Sequence, residues 1–341
     1  MDDALRELVE LPGISGYEEA VRDWIEAHLP EDVARDTDNM GNLVATVGDG
    51  DSAILFVAHM DEIGFVVAEI RDDGFLRLKP IGGIDPRAMF GQALRVVTAD
   101  GEIPGVLTVT PPHLMRDRAK EMGAVPKVDE WLVDIGARSA TEARRLGVAV
   151  LDFAVPEKRL RVLNEKYLSS RALDDRLGCW ILLQALESVR KMKLSTRVCF
   201  AFSVQEEVGL RGAQLLARQL DVTHAFAVDS ASAADFPGVG ADLSPARLGE
   251  GACLRVLDSA AIVPRSFTRE VQAIAAAESI PLQVIFCGGG TDARSFQPEG
   301  ALAMPLGIPL RYAHSMVEMA HADDVRATID LIQALVRKYA S

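Results

Sequence analysis

Two adjacent glutamates, Glu206 and Glu207, stand where an apolar run ends, and that placement is the first chemical signal in the chain. Val198, Phe200, Phe202 and Val204 alternate with Cys199, Ala201 and Ser203, so the run reads as a strand covered on both faces. In open α/β sheets, ligands and catalytic groups gather beyond the carboxyl ends of the strands. Two other apolar runs end in the same way: 53–58 leads into His59 and Asp61, and 224–228 into Asp229. Asp174 opens a helical stretch, and His314 lies in a late loop. Two histidines with several carboxylates suit a pair of divalent ions of the zinc, cobalt or manganese type. Such a pair can hold a hydroxide and polarise a carbonyl. Singly, each residue has an ordinary explanation: a solvated turn for Glu206-Glu207, a helix-terminal acid for Asp174, a turn former for Asp229. Their convergence on one sheet edge is the argument for a metal site. Physical reasoning leaves open which of the two glutamates would bind metal and which would move protons.

The elements that must position these residues follow from periodicity. Residues 2–11 and 20–29 have helical spacing, and the Ser15–Glu18 interval has the form of a capping box for the second helix. Strands are expected at 42–47 and 53–58. From about residue 66 to 163 the texture changes to short alternating runs broken by turn pairs such as Gly82-Gly83 and Asp100-Gly101. Short helices are expected there near 114–122 and 140–146. The α/β alternation then resumes. Helices are expected from about 173, over 212–220, 267–278 and 322–339, and strands at 224–228, 255–257, 282–286 and 301–306. The expected fold is therefore α/β, a mixed sheet covered by helices over residues 1–65 and 164–341, with a small β-rich, barrel-like domain inserted at 66–163. The Gly288-Gly289-Gly290-Thr291-Asp292 segment lacks the Lys-Ser or Lys-Thr of a phosphate-binding loop.

Composition excludes several classes. With 341 residues, 49% of them hydrophobic, and a formal charge of −14, the chain can bury a large core but has no basic surface for nucleic acid. No run approaches the apolar length of a membrane span. The acidic start, Met1-Asp2-Asp3, is unlike a secretion signal. The four cysteines are dispersed without a C-x-x-C pair and read as buried free thiols. A cytoplasmic protein is expected.

Six segments together carry a resemblance: 58–64 (AHMDEIG), 171–178 (RALDDRLG), 204–213 (VQEEVGLRGA), 228–229 (VD), 289–293 (GGTDA) and 311–315 (RYAHS). In this order, and with the β-rich insert between the first two, the sequence resembles the co-catalytic metallo-aminopeptidases of peptidase family M42, the glutamyl and tetrahedral, dodecameric aminopeptidases. The resemblance implies a zinc-exopeptidase-like fold and two divalent ions per subunit, zinc first and cobalt or manganese as alternatives. By that resemblance His59 and Asp229 bind one ion, Glu207 and His314 the other, and Asp174 bridges them. Glu206 would be the general base, Asp61 would orient the His59 ring, and the 288–292 loop would lie near the substrate's first side chain. Peptides would be the substrates, and the insert would serve assembly into a homo-oligomer, a dodecamer built from dimers. His314-Ser315 is followed by Met316 where the family often has proline, a change that affects loop stiffness more than ligation. Two rivals are a glycoside hydrolase of endoglucanase type and a non-catalytic peptide-binding assembly protein. The first needs carboxylates on opposite sides of a glycosidic bond, which sequential glutamates serve poorly.

Overall fold

A computed structural model describes residues 3–89, 91–125, 130–240, 242–259 and 261–341. They form two compact units, one of residues 1–62, 159–313 and 317–341, the other of 63–158 with 314–316.

The larger unit is built on an eight-stranded sheet in the order Ala34–Thr37, Leu43–Val47, Arg197–Ser203, Ala53–His59, His224–Ser232, Leu302–Leu310, Ala252–Leu257, Leu282–Phe286. The four central strands run parallel; the pairs that flank them are antiparallel, and the outermost pair on one side, Ala252–Leu257 with Leu282–Phe286, is parallel again, so the sheet is mixed. Alternation along these strands serves two cores. Phe56, Phe200, Phe202 and Phe226 face the helices Leu173–Val189 and Ala322–Tyr339. Phe56 stacks on Phe200 and Phe226 at ring-centroid distances of 5.7 and 5.2 Å. Leu55, Val57, Ala201, Leu216 and Phe296 fill the other face under the helix Arg211–Gln219 and the short helix Ala293–Phe296. Each such phenylalanine, removed from water, contributes roughly 2–3 kcal/mol.

The smaller unit is a closed barrel of six strands, Gly64–Ile70, Leu76–Ile81, Leu132–Asp134, Gly101–Leu107, Ala93–Thr98 and Phe153–Pro156. Phe65, Leu76, Leu94, Val96, Trp131 and Val133 fill it, with Phe65 edge-on to Trp131 at 5.7 Å. The helix expected near 114–122 is instead a single turn, Pro112–Leu114, and a short helix, Arg118–Met122, whose N-cap Asp117 accepts from Lys120 N.

Three further features differ from the periodicity. The edge strand Ala34–Thr37 is fully exposed and carries no apolar alternation. A separate three-stranded antiparallel sheet joins Arg161–Leu163, Tyr167–Ser170 and Glu318–His321. The strand expected at 301–306 runs on to Leu310 through Pro305 and Pro309. Proline normally demotes a central strand. Here the strand Ala252–Leu257 pairs with it only at Leu306 and Gly307, so that side has few ladder bonds to lose. All four cysteines are free thiols; Cys179, Cys199 and Cys253 are buried and Cys287 is half-buried, more open than expected.

Candidate metal centre

The parallel register explains how distant residues meet. Ser203, the last residue of its strand, lies opposite His59, the last of the neighbouring strand. The next parallel strand carries Asp229 near its carboxyl end. His59 and Asp229 are thus presented at one edge, and residues 174–175 are brought there at the start of the helix Leu173–Val189. Asp174 and Asp175 have non-helical backbone angles, so regular helix begins after them.

His59 is the centre of the arrangement. Its Nε2 lies 3.2 Å from Asp174 Oδ1, and its Nδ1 lies 3.1 Å from Asp61 O and 3.4 Å from Asp61 Oδ1. Asp174 also accepts from Ser230 Oγ at 2.8 Å. Donor atoms of His59, Asp175 and Asp229 lie within 4.8 Å of one another, all three residues buried. Asp175 already accepts from His59 N and Gly178 N, both at 3.2 Å, which anchors it to the backbone, whereas Asp174 is the acid that reaches the imidazole. Glu206 N and Glu207 N donate to the two oxygens of Asp61 at 3.0 and 3.1 Å. Asp61 therefore touches the His59 ring and both glutamate peptides. His314 belongs to the smaller unit, where its Nδ1 lies 3.0 Å from Gly83 O.

The electrostatics are those of a crowded, buried set of acids. Burial opposes the His59 imidazolium, but hydrogen bonds to Asp174 and Asp61 and the charge of Glu206 outweigh it, holding the ring well above its ordinary pKa. Burial and then Asp229 push the Asp175 carboxyl well up. Glu206 and Glu207 are also pushed well up, first by burial; His59 opposes this, while Asp229 acts on both and Asp174 acts on Glu207. Asp229 rises to about 6 through burial and Asp174. Negative charge kept out of water at this density calls for external cations, and oxygen with imidazole donors suits divalent ions of the zinc group. The residues present fit such ions.

Three contributors were not legible as site residues. Ser15 Oγ donates to Asp61 Oδ2 at 2.6 Å, and Glu18 Oε1 accepts from Gly16 N and Gln205 N, both at 2.9 Å. The capping box does not form: the helix Glu19–His28 has no side-chain cap, because the Glu18 carboxylate turns to the 205–207 turn instead. Asp292, 3% exposed, accepts from Ser203 Oγ, while its Oδ1 and the neighbouring Thr291 Oγ1 have no partner among the described residues. Burial is the main cause of an Asp292 carboxyl raised to about 7. The resemblance implies a place near the substrate for its loop but no bond of this acid to Ser203.

Known proteins match this chain over most of its length. Residues 41–331 match the M42 glutamyl aminopeptidase family. The lysyl aminopeptidase of Pyrococcus furiosus is 35% identical, the match covering 98% of this chain and 96% of that protein. The solved structure of the Pyrococcus horikoshii TET1 peptidase, described as assembling into a tetrahedron or a large octahedral shell, superposes with a TM-score of 0.91. It is 41% identical over 98% of each chain. A Thermotoga maritima structure described as an endoglucanase is more distant, with a TM-score of 0.78 and 29% identity over 97% of this chain and 96% of that one. With its family matched over most of its length and its acids gathered at the strand ends, the chain belongs to the M42 glutamyl aminopeptidases, metal-dependent enzymes of the peptidase class.

Proposed function

We propose that this enzyme removes N-terminal residues from peptides with two divalent ions, zinc most readily, at the edge carrying His59. The observation that supports this is a buried, mutually repelling set of carboxylates gathered beside His59. His59 and Asp229 would hold one ion, Glu207 and His314 the other, with Asp174 between them; cobalt or manganese satisfy the same donors. When bound, such ions polarise a scissile carbonyl and make water a nucleophile at neutral pH. The chain's own residues do the remainder. Asp61 fixes the His59 ring through Nδ1, the usual support for a metal-binding histidine. Glu206, its carboxyl raised by burial, takes the proton of the attacking water and returns it to the departing amine. The acids exceed what two ions require, which leaves a carboxylate for the substrate's α-ammonium group and favours cleavage at chain ends.

The smaller unit would serve assembly into a closed homo-oligomer of dodecameric type, admitting peptides rather than folded proteins. No described helix is long and apolar enough to cross a membrane, and a cytoplasmic location accords with the free thiols. A glycosidase reading has less support, since Asp61 clamps the peptides of both glutamates side by side and the two carboxylates of a glycosidase flank the bond they cut. The test is hydrolysis of aminoacyl p-nitroanilides before and after chelation, with zinc, cobalt or manganese then restored. Activity that vanishes with the ions and returns with them is expected. Chelator-resistant cleavage of a cellulose-type substrate, with no anilide hydrolysis, would overturn the reading.

A further inference from the structure

We propose that Glu18 is a positioning residue for this hydrolysis: with Asp61 it holds the three successive peptide N–H groups that aim Glu206 and Glu207. The inference rests on the function proposed above. The strand Arg197–Ser203 ends in a turn in which Gln205 adopts a left-handed φ of 57°, a conformation a non-glycine residue keeps only when its surroundings impose it. The N–H groups of residues 205, 206 and 207 there have no strand partner. Successive N–H groups of this kind form a concavity for anions. In this chain two of its own carboxylates fill it. Glu18 Oε1 accepts from Gln205 N at 2.9 Å, and the two oxygens of Asp61 accept from Glu206 N and Glu207 N at 3.0 and 3.1 Å.

Both carboxylates are fixed from the same N-terminal segment. Ser15 Oγ donates to Asp61 at 2.6 Å, and Gly16 N donates to Glu18 at 2.9 Å. The Glu18 carboxylate is not engaged at its own helix, which has no side-chain cap. It is 5% exposed, and burial together with the charge of Asp61 raises its pKa to about 7, so the placement works against stability. An acid held at such a site, and bonded to the residue before the base, fixes geometry. The side chains of Glu206 and Glu207 leave the backbone in directions set by these peptides. A shift of about 1 Å at a reacting group lowers a rate on the order of 100-fold.

The experiment compares wild-type enzyme with Glu18→Gln, Glu18→Ala and Glu18→Met, reading kcat and KM on an aminoacyl p-nitroanilide, bound metal per subunit and the thermal midpoint. Glutamine offers a carbonyl to the same two N–H groups. Methionine keeps the bulk without a comparable acceptor and serves in place of alanine should that variant fail to fold. Expected for alanine and methionine is a kcat lower by about 10–100-fold with KM changed little and metal retained. Glutamine should recover most of that loss. Wild-type kcat in Glu18→Met, or Glu18→Gln as impaired as Glu18→Met, overturns the positioning role. A wild-type enzyme that cleaves no aminoacyl anilide with any metal overturns the function reading itself, and the positioning role with it.

Discussion

Within the larger unit, two groups of buried carboxylates are answered in opposite ways. Glu62, 1% exposed, is paired with Arg171 and, at 3.7 Å, with Arg176, and it accepts from Gly13 N. Arg176 is wholly buried and donates to the carbonyls of Leu8, Leu11 and Gly13 at 3.1, 3.0 and 3.1 Å. Here the chain supplies its own cations, and the result is a strut tying the N-terminal segment to the helix Leu173–Val189. At the other group, Asp174, Asp175, Glu206, Glu207, Asp229 and Asp292 crowd together, with His59 and, for Asp229, Arg255 as the positive influences. Burial and mutual repulsion drive the carboxyls of Asp175, Glu206, Glu207, Asp229 and Asp292 up. The difference is between a charge set paired within the fold and one that, on the proposed function, holds ions.

The largest effect that could break this contrast lies at Glu206. Glu206→Gln should lower kcat by about 10²–10⁴-fold while metal content and unfolding stay as in the wild type; full rate in a metal-loaded variant removes Glu206 from proton transfer. At the strut, Arg176→Met should cost about 3–5 kcal/mol in urea unfolding, because it leaves Glu62 short of a buried partner. Metal stoichiometry in the folded variant should not change. A loss of metal with an unchanged unfolding midpoint would show that the two groups act as one.

The smallest effect concerns a third kind of buried acid, Asp324, which accepts from Gly249 N and Gly251 N, both at 2.7 Å. Burial raises its carboxyl from 3.8 to about 6. The folded chain therefore keeps this proton to higher pH than the unfolded chain does. The stability it contributes is complete below pH 4 and is lost as pH rises through 6. Asp324→Asn should flatten that part of the stability curve by on the order of 2–3 kcal/mol. An unaltered slope would mean that these N–H groups already stabilise the carboxylate fully.

The sequence made the strand-end residues legible because covered strands are written as continuous apolar runs, and the acids that follow stand out against them. His59, Asp61, Glu206, Glu207 and Asp229 were visible for that reason, and Asp174 through the adjoining helix. Glu18 was hidden by a local pattern: Ser15 and Glu18 have the spacing of a cap, and nothing short-range reveals a bond to Gln205, 187 residues away. Arg176 has three carbonyl partners in another segment, which its own helical stretch does not reveal. The strand Leu302–Leu310 extends past the expected end at 306 through Pro309, whose effect depends on what pairs beside it. In each case the deciding contact is long-range, and periodicity carries only short-range information.

The bonds made by Ser15 and Glu18 bear on how the gene is handled. Met40 is the first methionine after Met1, and translation begun there would omit both helices that precede it. Such a product would lack the carbonyls that receive Arg176 and the two side chains that reach Asp61 and Gln205. It would still contain His59, Asp174, Glu206, Glu207, Asp229 and His314. A start site chosen downstream would thus yield a chain that keeps every proposed ligand and the base yet has lost their alignment.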